Sequence, residues 1–130
     1  MQLNQILGNA EDQERGAWLE LRHPVSGKRT GIKLLIVGPD SATQSAGRLA
    51  MADELARATD DEGRVSAEAR DKVRVRALAR CVKAWEILED GEPVPFKFEN
   101  VVRVIRAAAW LQAQVDAFAG DRRNFMEAGE

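Results

Sequence analysis

The side chains whose types could support chemistry are few and scattered along the 130 residues. Gly27-Lys28-Arg29-Thr30 has the residue types of a phosphate loop, but a Walker loop needs an earlier glycine, an adjacent Lys-Ser/Thr pair and a strand-to-helix setting. The segment instead joins two apolar-alternating runs and reads as a hairpin turn. Cys81 and His23 are the only cysteine and histidine, so a thiol–imidazole pair is the one nucleophilic arrangement available. Cys81 falls beside an apolar helical seam, where thiols behave as small hydrophobes, and His23 precedes a proline at a strand end. One Cys and one His cannot supply the four ligands of a structural zinc site. Asp60-Asp61-Glu62 sits in a glycine-containing connector with no base or further ligand beside it. No catalytic residue, metal site or cofactor is expected.

Basic residues are the next possibility, because Arg64, Arg70, Lys72, Arg74, Arg76 and Arg80 fall close together and can neutralise phosphates. On a helix, however, positions 70, 72, 74, 76 and 80 spread around the axis, and Glu68, Asp71 and Glu86 interrupt the field. A solvated helix face is the simpler reading. The whole chain carries 19 Lys and Arg against 21 Asp and Glu, a net charge of -2 that gives no general attraction to nucleic acid or anionic lipid. The apolar run Leu34–Gly38 is far shorter than the ~20 residues of a membrane span. The opening Met1-Gln2-Leu3-Asn4-Gln5-Ile6-Leu7 lacks the pattern of a secretory signal, so the expected location is the cytoplasm.

The elements that would position these residues follow from periodicity. Leu3, Ile6 and Leu7 predict a short docking turn, and the polar stretch to Gly16 a linker, together an N-terminal segment over 1–16. From Ala17 the period becomes two: Leu19, Leu21 and His23 share one strand face, with Trp18, Glu20 and Arg22 on the other. After the Pro24–Lys28 turn, Ile32, Leu34 and Ile36 alternate with Lys33, Leu35 and Val37, completing a β-hairpin over 17–38. Asp40-Ser41 opens a helix to about Thr59 with a narrow stripe of Ala42, Ala46, Leu49, Ala52, Leu55 and Ala56. Ser66 caps a second helix, whose seam of Val75, Leu78, Val82, Trp85 and Leu88 carries it toward the Asp90-Gly91 turn. Pro93 and Pro95 make a rigid link, and Val101, Ile105, Ala108, Leu111, Val115 and Phe118 trace a third helix to Gly120. Residues 121–130, anchored only by Phe125, are expected to form a flexible tail. The prediction is a single α+β domain over 1–130, an N-terminal β-hairpin followed by three main α-helices across 40–120, mostly helical.

Large aromatic side chains suggest binding in place of catalysis. Trp18, Trp85, Trp110, Phe96 and Phe98 hold most of the large apolar area. Trp85 belongs to the core seam, whereas Trp18, Leu35 and Val37 lie opposite the hairpin's other apolar face. A two-faced hairpin in a small domain must be covered, either by another subunit or partner or by Leu3, Ile6 and Leu7 of the same chain.

Two stretches also resemble a known family. Gly16-Ala17-Trp18-Leu19-Glu20-Leu21, a basic-apolar second strand and Asp40-Ser41-Ala42-Thr43-Gln44 are similar to the Gly-x-Trp strand, hairpin and helix start of the small tail assembly chaperones of long-tailed, siphovirus-type bacteriophages. Val82-Lys83-Ala84-Trp85-Glu86-Ile87, Asp90-Gly91-Glu92-Pro93-Val94-Pro95-Phe96 and Glu99-Asn100 look like that family's helix-ending Trp, acidic-Gly turn, Pro-x-Pro/aromatic link and next helix. The family often has Gly before the Trp, where this sequence has Ala84. The resemblance implies a non-enzymatic role in the host cytoplasm: binding the tape measure protein, keeping it soluble and recruiting the major tail protein into the tail tube. A homo-oligomer fits the same picture, and neither nucleic acid nor membrane is an expected partner. The interaction surface would be the hairpin face of Trp18, Leu35 and Val37, or a groove beside Phe96, Phe98 and Trp110. A virion structural protein of the head-tail junction or tail terminus is the alternative class, and a small DNA-binding regulator the third.

Overall fold

In the computed structural model, which describes residues 1–127, the chain begins as a helix. α1 (Leu3–Arg15) starts where the Gln5 side chain accepts from the Gln2 backbone N–H at 2.7 Å, and it stops at Gly16, whose φ of 85° no helix continues. The expected docking turn and linker over 1–16 are therefore one continuous helix. Its polar second half is not a solvated connector, because Gln13 is fully buried: its Oε1 accepts from Asp40 N–H at 2.7 Å, and its Nε2 donates to Asn9 at 2.7 Å and to Asp40 at 3.0 Å.

β1 (Ala17–Arg22) and β2 (Arg29–Ile36) form the expected antiparallel hairpin, with Trp18 opposite Leu35 and Leu19 opposite Leu34. α2 (Ala42–Ala58) and α3 (Ala67–Arg80) start at Ser41 and Ser66, whose side chains accept from the backbone N–H of Gln44 and Ala69.

The second predicted helix ends eight residues before Leu88. Val82–Glu86 is instead a strand, β3, paired antiparallel with β2 to complete a sheet of order β1-β2-β3. Its pairing explains why the sequence imitates a helix. Val82 lies opposite Ile36, Ala84 opposite Leu35 and Trp85 opposite Leu34, so one extra residue, Lys83, bulges from the strand. The bulge puts Val82 and Trp85 on the same face despite a spacing of three, which is also the spacing of a helical seam.

Glu89-Asp90-Gly91-Glu92 closes a minimal hairpin between β4 (Leu88–Glu89) and β5 (Glu92–Pro93), with positive φ of 51° at Asp90 and 78° at Gly91. The third predicted helix is broken into α4 (Phe98–Arg106) and α5 (Ala109–Gly120) by Ala108, which is extended at φ -157° and ψ 142°. No Gly or Pro marks this break; Gln112 recovers the Ile105 carbonyl by donating to it at 3.0 Å. The bend lets Val101 and Ile105 of α4 and Leu111 and Val115 of α5 all reach the same core.

Residues 121–127 are not a frayed tail either. Arg122–Asn124 forms a 3₁₀ turn, and Phe125 packs edge-on against Phe118 at 5.7 Å between ring centroids. The rest of the expected tail, 128–130, lies outside the described residues. The α+β class and its helical majority stand, but with five α-helices among the described residues and a helix ahead of the hairpin. The core is the inner sheet face, Leu21, Leu34, Ile36 and Val82, packed on Val75 and Leu78 of α3 and on α4 and α5. α2 lies outside this core and buries no residue fully. No helix among the described residues is long and apolar enough to cross a membrane.

Candidate functional site: an apolar groove beside Phe96 and Phe98

The side chains first considered for chemistry have structural occupations. His23 Nδ1 accepts from the backbone N–H groups of Val25 and Ser26, both at 3.2 Å, and so closes the hairpin turn. Cys81 caps α3; burial, reinforced by Asp116, pushes its thiol up to about 11, leaving it protonated and unreactive near neutral pH. Asp60 Oδ1 accepts from Glu62 and Arg64 N–H at 2.9 Å each, which folds the acidic connector. Among the described residues no group of three or more His, Cys, Asp or Glu side chains could hold a metal ion.

Three of the α3 arginines are engaged within the fold, whereas Arg70 and Lys72 are exposed. Arg74 pairs with Asp71 and donates to Gln112, while Arg76 and Arg80 both reach Glu54 on α2. Partial burial pushes the Glu54 carboxyl upward, but hydrogen bonds from Arg80 and then Arg76 outweigh it and hold the group below its ordinary range. The two guanidinium groups also stack over the Phe98 ring, at 5.0 Å for Arg76 and 5.9 Å for Arg80.

Arg80 and Phe98 of that stack also line an open apolar groove of about 460 Å³ between α2 and the segment entering α4. Ala46, Gly47 and Ala50 of α2 line one side and Phe96, Phe98 and Val101 the other, with Ala79 and Val82 also lining it. Phe96 is 46% exposed and Phe98 38%, large values for phenylalanines set in a wall of apolar neighbours. Both are held. Phe96 meets Trp85 edge-on at 5.2 Å, and the Trp85 indole N–H donates to the Val94 carbonyl at 2.8 Å, so the aromatic wall is braced from the sheet. At Gly47 a Cβ would make ordinary contact with a side-chain carbon of Arg80 at 3.9 Å, so no close approach requires a glycine in this wall.

The six residues named from the sequence thus divide. Phe96 and Phe98 are brought together in the groove, whereas Trp110 packs against the core and does not line it. Trp18 and Leu35 do lie side by side on the outer sheet face, half exposed and half-buried respectively. Val37 does not join them: it is fully buried, its N–H donating to the Cys81 carbonyl at 3.0 Å. Leu3, Ile6 and Leu7 cover none of that face, since all three remain more than half exposed along α1. Of the α2 stripe expected to pack closely, Ala42, Ala46, Leu49, Ala52, Leu55 and Ala56, only Ala46 lines the groove; Gly47 and Ala50, beside that stripe, complete this wall, and Leu49 is 69% exposed. No family model, curated protein or solved structure matches the chain.

Proposed function

We propose that this protein is a non-enzymatic tail assembly chaperone of a long-tailed bacteriophage, which holds segments of the tape measure protein until tail tube subunits polymerise around it. The observation that supports this reading is the groove between Ala46, Gly47 and Ala50 on one side and Phe96 and Phe98 on the other. An apolar channel with a wall of small residues takes the ridge of an amphipathic helix, and a long helical client offers many such ridges in series. Weak binding at each suffices, because neighbouring sites on one client raise the effective concentration. The resemblance of the Gly16–Leu21 stretch to the phage chaperones supplies the choice of client, and the Val82–Asn100 stretch agrees with them in residues but departs in structure, since Trp85 lies on a strand and not at a helix end.

Co-expression with the tape measure protein tests this. The wild-type chain is expected to bring that protein into the soluble fraction. Gly47→Leu is expected to abolish the rescue, because it adds a branched side chain to a wall of the groove, while it gains helix propensity over glycine. Rescue that survives Gly47→Leu in a folded chain moves the binding surface elsewhere, and a tape measure protein that stays insoluble with the wild-type chain removes the assignment.

A further inference from the structure

The outer edge of β1 carries a short, self-complementary row of hydrogen-bonding groups. On the β2 side, the Leu21 carbonyl accepts from Thr30 Oγ1 at 2.7 Å; Arg22 turns the other way, its N–H donating to Gln114 Oε1 at 2.9 Å and its carbonyl accepting from Gln114 Nε2 at 2.8 Å. Backbone groups of a strand alternate sides residue by residue. Trp18 and Glu20 therefore also face away from β2, and among the described residues no strand lies on that side. Gln114 of α5 covers the Arg22 end of this edge and leaves the Trp18–Glu20 stretch unpaired. Ala17–Arg22 contains no Pro or Lys, and the register irregularity of the hairpin falls on β2, which spends residues 29 to 33 against Glu20 to Arg22.

We infer that this edge pairs with the β1 edge of a second copy of the chain, antiparallel about a two-fold axis at Leu19, joining two three-stranded sheets into one. In that register Trp18 of each copy faces Glu20 of the other, and the N–H and C=O groups of both residues are satisfied reciprocally. The ends of the edge select it. Gln114 already occupies the groups of Arg22, and Gly16 breaks the strand at φ 85°. Charge selects it too. The competing two-fold, at Glu20, would set Glu20 against its own copy and would require the Arg22 groups. With the axis at Leu19 no like charges stand directly opposite, and each Glu20 keeps its own partners, Arg29 at 3.8 Å and the Gly31 N–H at 3.1 Å. Trp18, 50% exposed in the single chain, gains the diagonally placed Trp18 of the other copy, within reach of large aromatic side chains. This pairing does not depend on the function proposed above.

Cysteine cross-linking in a Cys81→Ala background tests the register. Leu19→Cys is expected to form a disulfide dimer on mild oxidation, because the two-fold makes Leu19 a non-hydrogen-bonded pair, the closest approach across antiparallel strands. Glu20→Cys is expected to cross-link far less. In the unmodified chain, the Trp18 and Glu20 amides are expected to gain hydrogen-exchange protection as concentration rises, with the molar mass doubling. Trp18→Pro removes an outward donor and the indole together without touching the β2 ladder and should raise the dissociation constant by more than about 30-fold, the loss expected from two hydrogen bonds of ordinary net strength alone. The inference fails if Glu20→Cys cross-links in preference. It fails equally if the chain stays at monomer mass with both amides exchanging freely, or if those amides become protected only when a different protein binds.

Discussion

Asp40 grips Arg122 with both carboxylate oxygens, Oδ2 to Nε at 2.9 Å and Oδ1 to Nη2 at 3.0 Å, across 82 residues of sequence. Oδ2 also accepts from Gln13, and Gln13 in turn holds Asn9, whose side-chain amide donates to the Phe125 carbonyl at 3.1 Å. One chain of hydrogen bonds thus fastens α1, the start of α2 and the C-terminal turn to each other. This is why both ends of the described chain are ordered although neither contributes much to the apolar core.

The clasp is titratable. Hydrogen bonds from Arg122 and Gln13 hold the Asp40 carboxyl below its ordinary range, so folding binds the deprotonated form more tightly than the unfolded chain does. Its stabilisation is full above about pH 5 and is lost as pH falls through the lowered folded value. With both side chains about half exposed, solvent screens the pair, and Asp40→Asn is expected to cost about 0.5–1 kcal/mol at pH 7. Urea unfolding at pH 7 and near pH 3 should show that difference shrinking in acid; a constant gap would mean the carboxylate charge plays no part.

Glycines separate by what surrounds them. Gly16 combines a φ of 85° with an Ile36 carbonyl oxygen 2.7 Å from where a Cβ would stand, whereas Gly63, at φ 80°, has open space. Gly63→Ala is expected to cost about 1–2 kcal/mol, the left-handed penalty alone. Gly16→Ala adds a backbone clash and should exceed it by at least about 1 kcal/mol in the same urea titration. Equal costs would show that the α1–β1 corner can shift away from β2.

The hairpin, the two serine caps and the identity of most core residues were legible because each rests on local signals: alternation, turn chemistry, a hydroxyl before an apolar run. Val82 to Glu86 was not, because a bulged strand and a helix both place residues three apart on one face, and only the free side of β2 decides between them. Likewise the break at Ala108 has no local breaker, and the helicity of Asn9 to Arg15 depends on partners 27 to 116 residues away. Phe96 and Phe98 were legible as groove residues, but Trp110 does not join them, and of the opposite wall only Ala46 fell on the predicted α2 stripe, because which face of a small-residue helix stays open depends on where α3 and the Phe96–Phe98 segment pack.

The aromatic brace predicts a specific loss. Trp85→Phe keeps a ring against Phe96 but leaves the Val94 carbonyl without its 2.8 Å indole donor, in a residue only 8% exposed. An orphaned buried acceptor costs about 1–3 kcal/mol, and the Phe96 side of the groove should loosen with it. Thermal unfolding checks the first and side-chain NMR of Phe96 the second. Unchanged stability would show that water takes over the carbonyl.

Cys81 offers a probe of local opening. With its thiol raised to about 11, only about one molecule in a thousand carries a thiolate at pH 8. An aromatic disulfide reagent should therefore label the native chain about a hundredfold more slowly than the urea-unfolded chain, whose thiol titrates near its ordinary value. Labelling at the unfolded rate would mean that the C-terminus of α3 opens freely.

Glu54 joins stability to the groove. It is the carboxylate that Arg76 and Arg80 share, and the Arg80 guanidinium that stacks on Phe98 is itself mostly buried. Glu54→Gln keeps the shape but removes the charge, so two guanidinium groups lose a charged acceptor while remaining over the same ring. The expected cost is about 1.5–3 kcal/mol, the range for hydrogen bonds to charged groups. The folded carboxyl lies below its ordinary value, so this contribution is full at neutral pH and is lost as pH falls below about 4.5. The surviving molecules differ from wild type in a second way: the groove wall now carries an uncompensated positive charge. Binding of a helical peptide with acidic flanks should then strengthen relative to an uncharged one, and this gain should vanish at high salt. A destabilised variant whose peptide preference is unchanged would show that Arg76 and Arg80 turn away from the groove once Glu54 no longer holds them.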